Sequence, residues 1–368
     1  MRVFIESCYR MDKVVAPDCE KIHELCMRLG RVQVMEICGT HTMSIARAGL
    51  RSLLPANLKL ISGPGCPVCV TDQSYMDQAL WFAGQAGVVI ATYGDMVRVP
   101  GRQGSLAEAR AGGAAVEVVY SARQAVALAQ SRPADQVVFL AVGFETTAPG
   151  TALALREARE LGLKNFSALT AHKLVLPAMR TLLAAPDVRV DGFLCPGHVS
   201  VILGYDAYRE IARQYRRPCV VAGFDPRQIL AALVEILRQL VQNDPQACTV
   251  YRSVSAEGNL EAQRILDEVF QPDDAVWRAM GVIPQSGLAL RPEYRDFDAA
   301  ARFNPPQFEP YELPGCRCGE VICGRCSPFD CGLFAKRCTP RDPVGPCMVS
   351  SEGACAAAYK YELPRQKQ

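Results

Sequence analysis

The stretch SGPGCPVCVT, residues 62–71, places Cys66 and Cys69 two residues apart in a turn built from Gly63, Pro64, Gly65 and Pro67. A C-x-x-C spacing serves a redox couple, half of a zinc site or part of a cluster site. A redox couple needs two thiols within disulfide reach, one of them with a lowered pKa. Cys69 lies just ahead of an expected helix start at Thr71 and Asp72, where backbone N–H groups favour a thiolate. The same geometry suits a soft metal ion. Zinc needs four ligands, and Cys38 and His41 of the preceding loop could supply the other two. The residues by themselves leave these uses open.

A second concentration of thiols lies beyond residue 315: Cys316, Cys318, Cys323, Cys326, Cys331, Cys338, Cys347 and Cys355. A zinc ribbon would show two short C-x2-C knuckles, and only Cys323 and Cys326 have that spacing. Four spread thiols, Cys318, Cys331, Cys338 and Cys355, held by a Pro/Gly-rich segment suit an iron–sulfur cluster better. The tail has too few aliphatic residues for a core of its own, as is usual for units tied together by a metal or cluster.

The 368 residues are 49% hydrophobic and 21% charged, with a formal net charge of +2. That balance excludes a strongly basic nucleic-acid binder. The first residues, MRVFIESCYRMDKVVAPDC, lack the apolar stretch of a secretory signal, and runs such as VVFLAVGF are too short to span a bilayer. A cytoplasmic protein is expected. In a reducing compartment 17 cysteines point to metal, cluster or redox chemistry rather than to structural disulfides.

Eight apolar runs alternate with helical patterns: 32–37, 58–62, 88–93, 116–120, 136–142, 166–171, 191–195 and 219–224. Strands apolar on both faces and separated by helices imply parallel sheets covered on both sides. The expected fold is α/β, with two open parallel-sheet domains facing a central cleft plus a C-terminal Cys-rich iron–sulfur region. The division expected is an N-terminal segment, 1–31, packed on the C-terminal region; domain I, 32–130; domain II, 131–244; and a helical and cluster-bearing region, 245–368. Within the last, NLEAQRILDEVF and DAVWRAM read as helical.

Ligands of open α/β sheets bind beyond the carboxyl ends of the strands. The unusual loops fall there: CGTHT with Cys38, Thr40, His41 and Thr42; GPGCPVC; GDMVRVPG with Asp95 and Arg98; GFETTAPG with Glu145, Thr146 and Thr147; AHK with His172 and Lys173; PGHVS with His198 and Ser200. Of the four histidines only His23 lies elsewhere. Plainer roles exist for some of these residues. Thr42 and Thr147 fit helix N-caps, and Cys195 and Cys219, in apolar strands, fit inert core thiols. No G-x-x-x-x-G-K-[ST] or G-x-G-x-x-G is present, which argues against a nucleotide cradle.

EICGTHTMSIARAGLRSLLP, LISGPGCPVCVT, VGFETTAPGTALAL, PGHVSVILG and CTPRDPVGPCMVSSEGACAAAYKY together resemble the HypD family of hydrogenase maturation factors, along nearly the whole chain. The resemblance implies a [4Fe–4S] cluster in the C-terminal region and a part in building the Fe(CN)2CO group of [NiFe]-hydrogenases. It implies work with HypC, a small chaperone that carries the iron, and receipt of cyanide made by HypE with HypF. It makes Cys38, Cys66 and Cys69 the essential cleft thiols, and Cys318, Cys331, Cys338 and Cys355 the cluster ligands, with Cys316 and Cys347 as substitutes. On this reading Cys38 ligates the mononuclear iron together with a cysteine of HypC, and Cys66 and Cys69 cycle between dithiol and disulfide. His41, Thr40, Thr146 and His198 donate hydrogen bonds to cyanide nitrogens, and Glu145 or His41 handles protons. The protein is then an assembly scaffold with redox activity rather than a conventional turnover enzyme. The competing reading is a cluster-linked thiol–disulfide oxidoreductase without mononuclear iron.

Overall fold

Residues whose side chains are apolar at successive positions form strands buried on both faces, and these strands sort into two parallel sheets. The computed structural model describes residues 2–363, with side chains from residue 16 onward. The strands are β1 (Val32–Glu36), β2 (Leu58–Ser62), β3 (Val88–Thr92), β4 (Ala115–Val118), β5 (Gln136–Gly143), β6 (Phe166–His172), β7 (Gly192–Cys195), β8 (Cys219–Val221) and β9 (Ala247–Thr249). One sheet has the order β2-β1-β7-β8-β9 and the other β4-β3-β5-β6, with every pair parallel. A two-stranded antiparallel hairpin, β10 (Phe270–Trp277) and β11 (Gly281–Leu290), follows.

Sheet membership does not follow the expected division at 130/131. Val34 of β1 pairs with Gly192 of β7, so the four-stranded sheet, from β3 to β6, is inserted between the second and third strands of the five-stranded one. The reason lies in pairing across long sequence separation: β7 adds to the free edge of β1 rather than to β6. Both sheets therefore reverse strand order at a switch point, between β1 and β7 in one and between β3 and β5 in the other. Such points open a crevice at the strands' carboxyl ends.

The period-two alternation of strands divides the side chains into layers. Met35, Ile61, Phe193 and Cys195 of the first sheet share a core with Ile90, Val138 and Leu140 of the second. On the outer face of the first sheet Val34, Leu60, Leu194 and Val220 pack under the helix Pro226–Gln242. On that of the second, Val89, Phe139 and Ala141 pack with Leu155 and with Phe270 of the hairpin. Each fully buried side chain of this kind stabilises the fold by about 1.5–3 kcal/mol.

Four helices near the sheet edges matter for the site: α1 (Arg2–Leu29), α2 (Gly39–Arg47), α3 (Pro67–Val70) and α4 (Gln73–Ala83). Ile22 and Leu25 of α1 join the core beneath Pro226–Gln242, whereas the 1–31 segment was expected on the C-terminal region. The expected cap Asp72 does start α4, its carboxylate accepting from Ser74 N at 2.8 Å. Thr42 does not cap a helix. The helix starts earlier, at Gly39, and the Thr42 hydroxyl donates to the buried Glu36 at 2.6 Å. Thr147 occupies the N-cap position of Ala148–Glu160 without a side-chain capping bond. DAVWRAM is not helical; it enters β10 and its turn, because Trp277 is buried and donates from its indole to Ser286 Oγ at 2.8 Å.

The cysteine-rich tail folds as short helices seated on the first sheet's loops. The helix Ala354–Tyr361 packs on α2, and the helices Cys318–Ile322 and Pro346–Val349 both pack on α3. Asp95, after β3, accepts from the Ser350 hydroxyl at 3.0 Å, and Arg98 donates to Pro340 O at 2.6 Å. Among the described residues no helix is long and apolar enough to cross a membrane.

Candidate functional site

The loops after β1 and β2 are in direct contact. A Cβ on Gly65 would overlap the backbone N and Cα of Cys38, and Gly39 N donates to Gly65 O at 3.1 Å. Only a glycine permits this approach. The turn thereby sets Cys38 beside Cys66 and Cys69, which are joined as a disulfide with Cα atoms 5.2 Å apart. The three cysteines are 8%, 4% and 0% exposed.

Cys66, not Cys69, holds the helix-start position. It is the N-cap of α3, and its sulfur accepts from Cys69 N at 3.2 Å. The N–H that stabilises a thiolate is thus aimed at Cys66, which corrects the expectation for Cys69, whose own place is inside α3.

Cys38 is the N-cap residue of α2. Burial pushes its thiol up to about 11, a rise reinforced by the Glu352 charge and opposed by the neighbouring His41 and Thr40, and the sulfur caps no N–H of α2. The Thr40 hydroxyl donates to Glu352 Oε1 at 2.6 Å, tying the loop to the tail. Ionising Cys38 therefore calls for a cation at the sulfur, as a metal ion supplies.

His41 is fully buried, and burial lowers its pKa to about 4. Its Nε2 lies 3.0 Å from Gly223 O and 3.2 Å from Ala222 O, so the neutral ring donates there. Nδ1, without a partner among the described residues, is left as an acceptor. His41 therefore has no donor to spare for a ligand nitrogen. His198 is exposed, and Phe224 stands between the two rings, with centroid separations of 5.0 Å to His41 and 4.2 Å to His198.

The second sheet contributes Glu145, 2% exposed, whose Oε1 accepts from Val175 N at 2.9 Å while Oε2 has no partner among the described residues. Burial pushes its carboxyl up to about 7. Its charge is felt by Tyr208, whose hydroxyl lies 3.0 Å from Ser200 Oγ in the helix Gly197–Leu203 that follows β7. Glu145 thus sits where the two sheets meet. Thr146, next in sequence, is half-buried. His172 is not part of this seam: its Nε2 lies 3.0 Å from Thr151 Oγ1 inside the second sheet's own layer. Cys195 and Cys219 are buried against each other, as expected for core thiols.

In the tail Cys316 lies against Cys318, and Cys347 against Cys355, with Cys316 also close to the latter pair and to Cys338. Cys331 neighbours Cys338. Val344 N donates to Cys338 Sγ at 3.3 Å and Cys355 N to Cys347 Sγ at 3.5 Å. A Cβ on Gly345 would overlap Cys316 Sγ. Among the described residues the thiols stand in pairs, and no three Cys, His, Asp or Glu side chains surround a common point. The donor set nevertheless fits a thiolate-bound cluster, with six thiols in one region of the tail and backbone N–H groups aimed at Cys338 and Cys347. Cys316 and Cys347 stand among them as centrally as Cys318 and Cys355.

Arg278 carries no signal in the sequence, because DAVWRAM has a helical pattern whereas the segment is the end of β10 and its turn. It is 4% exposed and donates to Cys69 O at 2.9 Å and to Thr71 O at 2.6 Å, and its charge reaches Cys316. Glu352 lay within the resembling motif SSEG, but no local signal linked it to Thr40.

A disulfide turn at the carboxyl ends of a parallel α/β sheet, with the helices of a thiol-rich tail packed on its own helix, marks an α/β protein whose conspicuous side chains are soft sulfur ligands. The family model described as HypD, hydrogenase formation hypA family, matches residues 13–362. The hydrogenase maturation factor HypD of Escherichia coli K12 is 45% identical over 332 residues, covering 90% of this chain and 89% of its own. That of Azotobacter vinelandii is 46% identical over 343 residues, covering 91% and 90%. That of Cupriavidus necator is 43% identical over 340 residues, covering 90% of each. The chain belongs to the HypD family of hydrogenase maturation factors.

Proposed function

We propose that this chain is a redox-active scaffold on which the Fe(CN)2CO group of a [NiFe]-hydrogenase is assembled, with a HypC-type chaperone presenting the iron and a HypE-type protein presenting cyanide. The observation that carries the reading is the contact of Gly65 with Cys38, which sets an ionisable single thiol beside a C-x-x-C pair. Cys38 gives the iron a thiolate and releases its proton on binding. Iron-bound cyanide is electron-rich at nitrogen and accepts hydrogen bonds; the Thr146 hydroxyl and the exposed His198 ring are the donors assigned to it, because the Thr40 hydroxyl proton is already held by Glu352. His41, whose free nitrogen is an acceptor, and Glu145, poised near neutrality, are assigned to protons.

Reduction of the Cys66–Cys69 disulfide takes up two electrons and two protons, and reoxidation returns them. Four of the six tail thiols Cys316, Cys318, Cys331, Cys338, Cys347 and Cys355 would hold a [4Fe–4S] cluster, Cys318, Cys331, Cys338 and Cys355 being the first assignment. When bound, the cluster supplies one-electron redox chemistry. The helices that begin at Cys318 and carry Cys347 pack directly on the helix of Cys69, and this short route supports exchange with the couple.

Infrared spectroscopy of the complex with the chaperone tests the proposal. Cyanide and carbonyl stretches are expected from the parent complex and absent with Cys38→Ala. Stretches that survive that substitution would remove Cys38 from the iron. Turnover of a protein disulfide by a preparation that never binds mononuclear iron would favour the oxidoreductase reading instead.

A further inference from the structure

Beyond the thiol seam, a cavity of about 540 Å³ lies between the first turn of α4, the end of β6, strand β10 and the connector around Pro305. We propose that this cavity is a binding site for a small carboxylate that carries a single negative charge and a hydrogen-bond donor of its own, as in a hydroxy acid or an amino acid.

Lys173 makes the case for the carboxylate. Its side chain is 5% exposed and lines the cavity. It forms no hydrogen bond or ion pair with any described residue. Burial lowers its ammonium to about 8, so it remains largely protonated at neutral pH. Asp72 is the carboxylate nearest in effect, but it stands beyond ion-pair distance and its Oδ1 is engaged by Ser74 N at 2.8 Å. The ammonium opens on the cavity, and the space before it is far larger than a water molecule needs; an anion there would supply the acceptor that no described residue does. The Ser74 hydroxyl and the Gln78 amide line the same cavity without partners among the described residues, and the cavity adjoins the N-terminal end of α4.

The remaining wall sets the charge and polarity of the occupant. Asp72 from α4, Asp274 from β10 and Glu309 from the connector all line the cavity. With three carboxylates to one ammonium the wall is net negative, so it excludes phosphate and admits a carboxylate only when the same molecule brings a donor or positive group for the acids. They accept hydrogen bonds from a hydroxyl or amino group attached to a monocarboxylate. The cavity shares Thr71 with the end of the Cys66–Cys69 helix, yet nothing in its binding chemistry depends on the role given to Cys38.

The test is titration calorimetry of the full chain with sodium glycolate and with glycine, against sodium acetate and inorganic phosphate. Saturable binding of glycolate or glycine is expected, weaker binding of acetate and none of phosphate. Lys173→Met should weaken glycolate binding by about tenfold or more, the weight of one charge-assisted hydrogen bond. Absence of saturable binding by both glycolate and glycine overturns the site, as does unchanged affinity in the variant. Phosphate binding as tight as glycolate overturns the charge argument. A readout that needs no variant is the ε-carbon resonance of Lys173 in lysine-labelled protein. Its titration should move to higher pH with glycolate, because an anion favours the ammonium; an unmoved titration counts against the proposal.

Discussion

Arg278 donates from Nε to the carbonyl oxygen of Cys69 at 2.9 Å, so a buried guanidinium closes the carboxyl end of the disulfide helix. A second bond, to Thr71 O at 2.6 Å, fixes the fork in place. The charge also favours any thiolate formed nearby.

Arg278→Met is therefore expected to act on both stability and potential. Two buried carbonyls lose a charged donor, a loss of about 2–4 kcal/mol that a urea titration would register. Removing a positive charge disfavours the thiolate that the reduced pair forms on losing a proton, so above that thiol's pKa the midpoint of the Cys66–Cys69 couple should become more negative, by about 30 mV for each ~1.4 kcal/mol lost. A redox titration followed by thiol labelling checks this. An unchanged midpoint in a folded variant would confine Arg278 to packing.

Gly65→Ala tests the contact that sets Cys38 beside the pair. The added methyl meets backbone, not a flexible side chain, so relief requires the loops to separate. Destabilisation of about 3 kcal/mol or more is expected, together with loss of iron from the chaperone complex. Thermal melting and metal analysis of the same sample report the two effects.

The capping bond from Cys69 N predicts an order of reactivity in the reduced protein. With Cys66 at the N-cap and Cys69 wholly buried, Cys69→Ser should leave a thiol that alkylates readily near neutral pH. Cys66→Ser should leave one that reacts slowly at every pH up to about 9. Rates of iodoacetamide labelling against pH distinguish them, and the reverse order would contradict the geometry.

Glu145 predicts a pH dependence with a definite sign. Its carboxyl is raised from the ordinary 4.5 to about 7 by burial, so the folded state holds the proton more tightly than the unfolded chain. The group's contribution is fully present below pH 4.5 and is lost as pH rises from there through 7. Glu145→Gln keeps an acceptor for Val175 N and removes the titration. It should match the parent near pH 4.5 and exceed it near pH 8 by up to about 3 kcal/mol, as measured by urea midpoints at both values. Equal pH slopes in parent and variant would refute the assignment.

Of the tail thiols, Cys338 lies within electrostatic reach of both Cys316 and Cys331, whereas the charged or ionisable neighbours of Cys323 are Arg325, Asp187, Cys326 and Glu312. Iron and sulfide content should therefore fall to background in Cys338→Ser and persist in Cys323→Ser. Loss in both, with both proteins folded, would enlarge the ligand set beyond the six thiols proposed.

The α/β class and the loops that carry the chemistry were legible because they are written locally. Runs such as QVVFLAV are apolar at every position, and Gly–Pro–Gly turns mark strand ends. What is not local was not legible. No feature of residues 88–172 announces that the chain will return to pair Gly192 with Val34, since strand order is decided by edges and by core shared across sheets. Thr42 looked like a cap because its partner Glu36, itself paired with Arg51, is fixed by tertiary structure. The difference between Cys66 and Cys69 as the capped thiol turned on a few residues of helix boundary, where sequence patterns are weakest. DAVWRAM has residues that a helix accepts, and burial of Trp277 decided otherwise.

The chain leaves the five-stranded sheet after β2 and re-enters it at β7, and the C-x-x-C turn lies on the outgoing passage. That passage is one of two crossings between sheets that share a core. Closing a covalent ring within it leaves the crossing fewer conformations, and opening the ring returns them. The electron count of two sulfurs is thereby written into the stiffness of the backbone where one sheet hands the chain to the other.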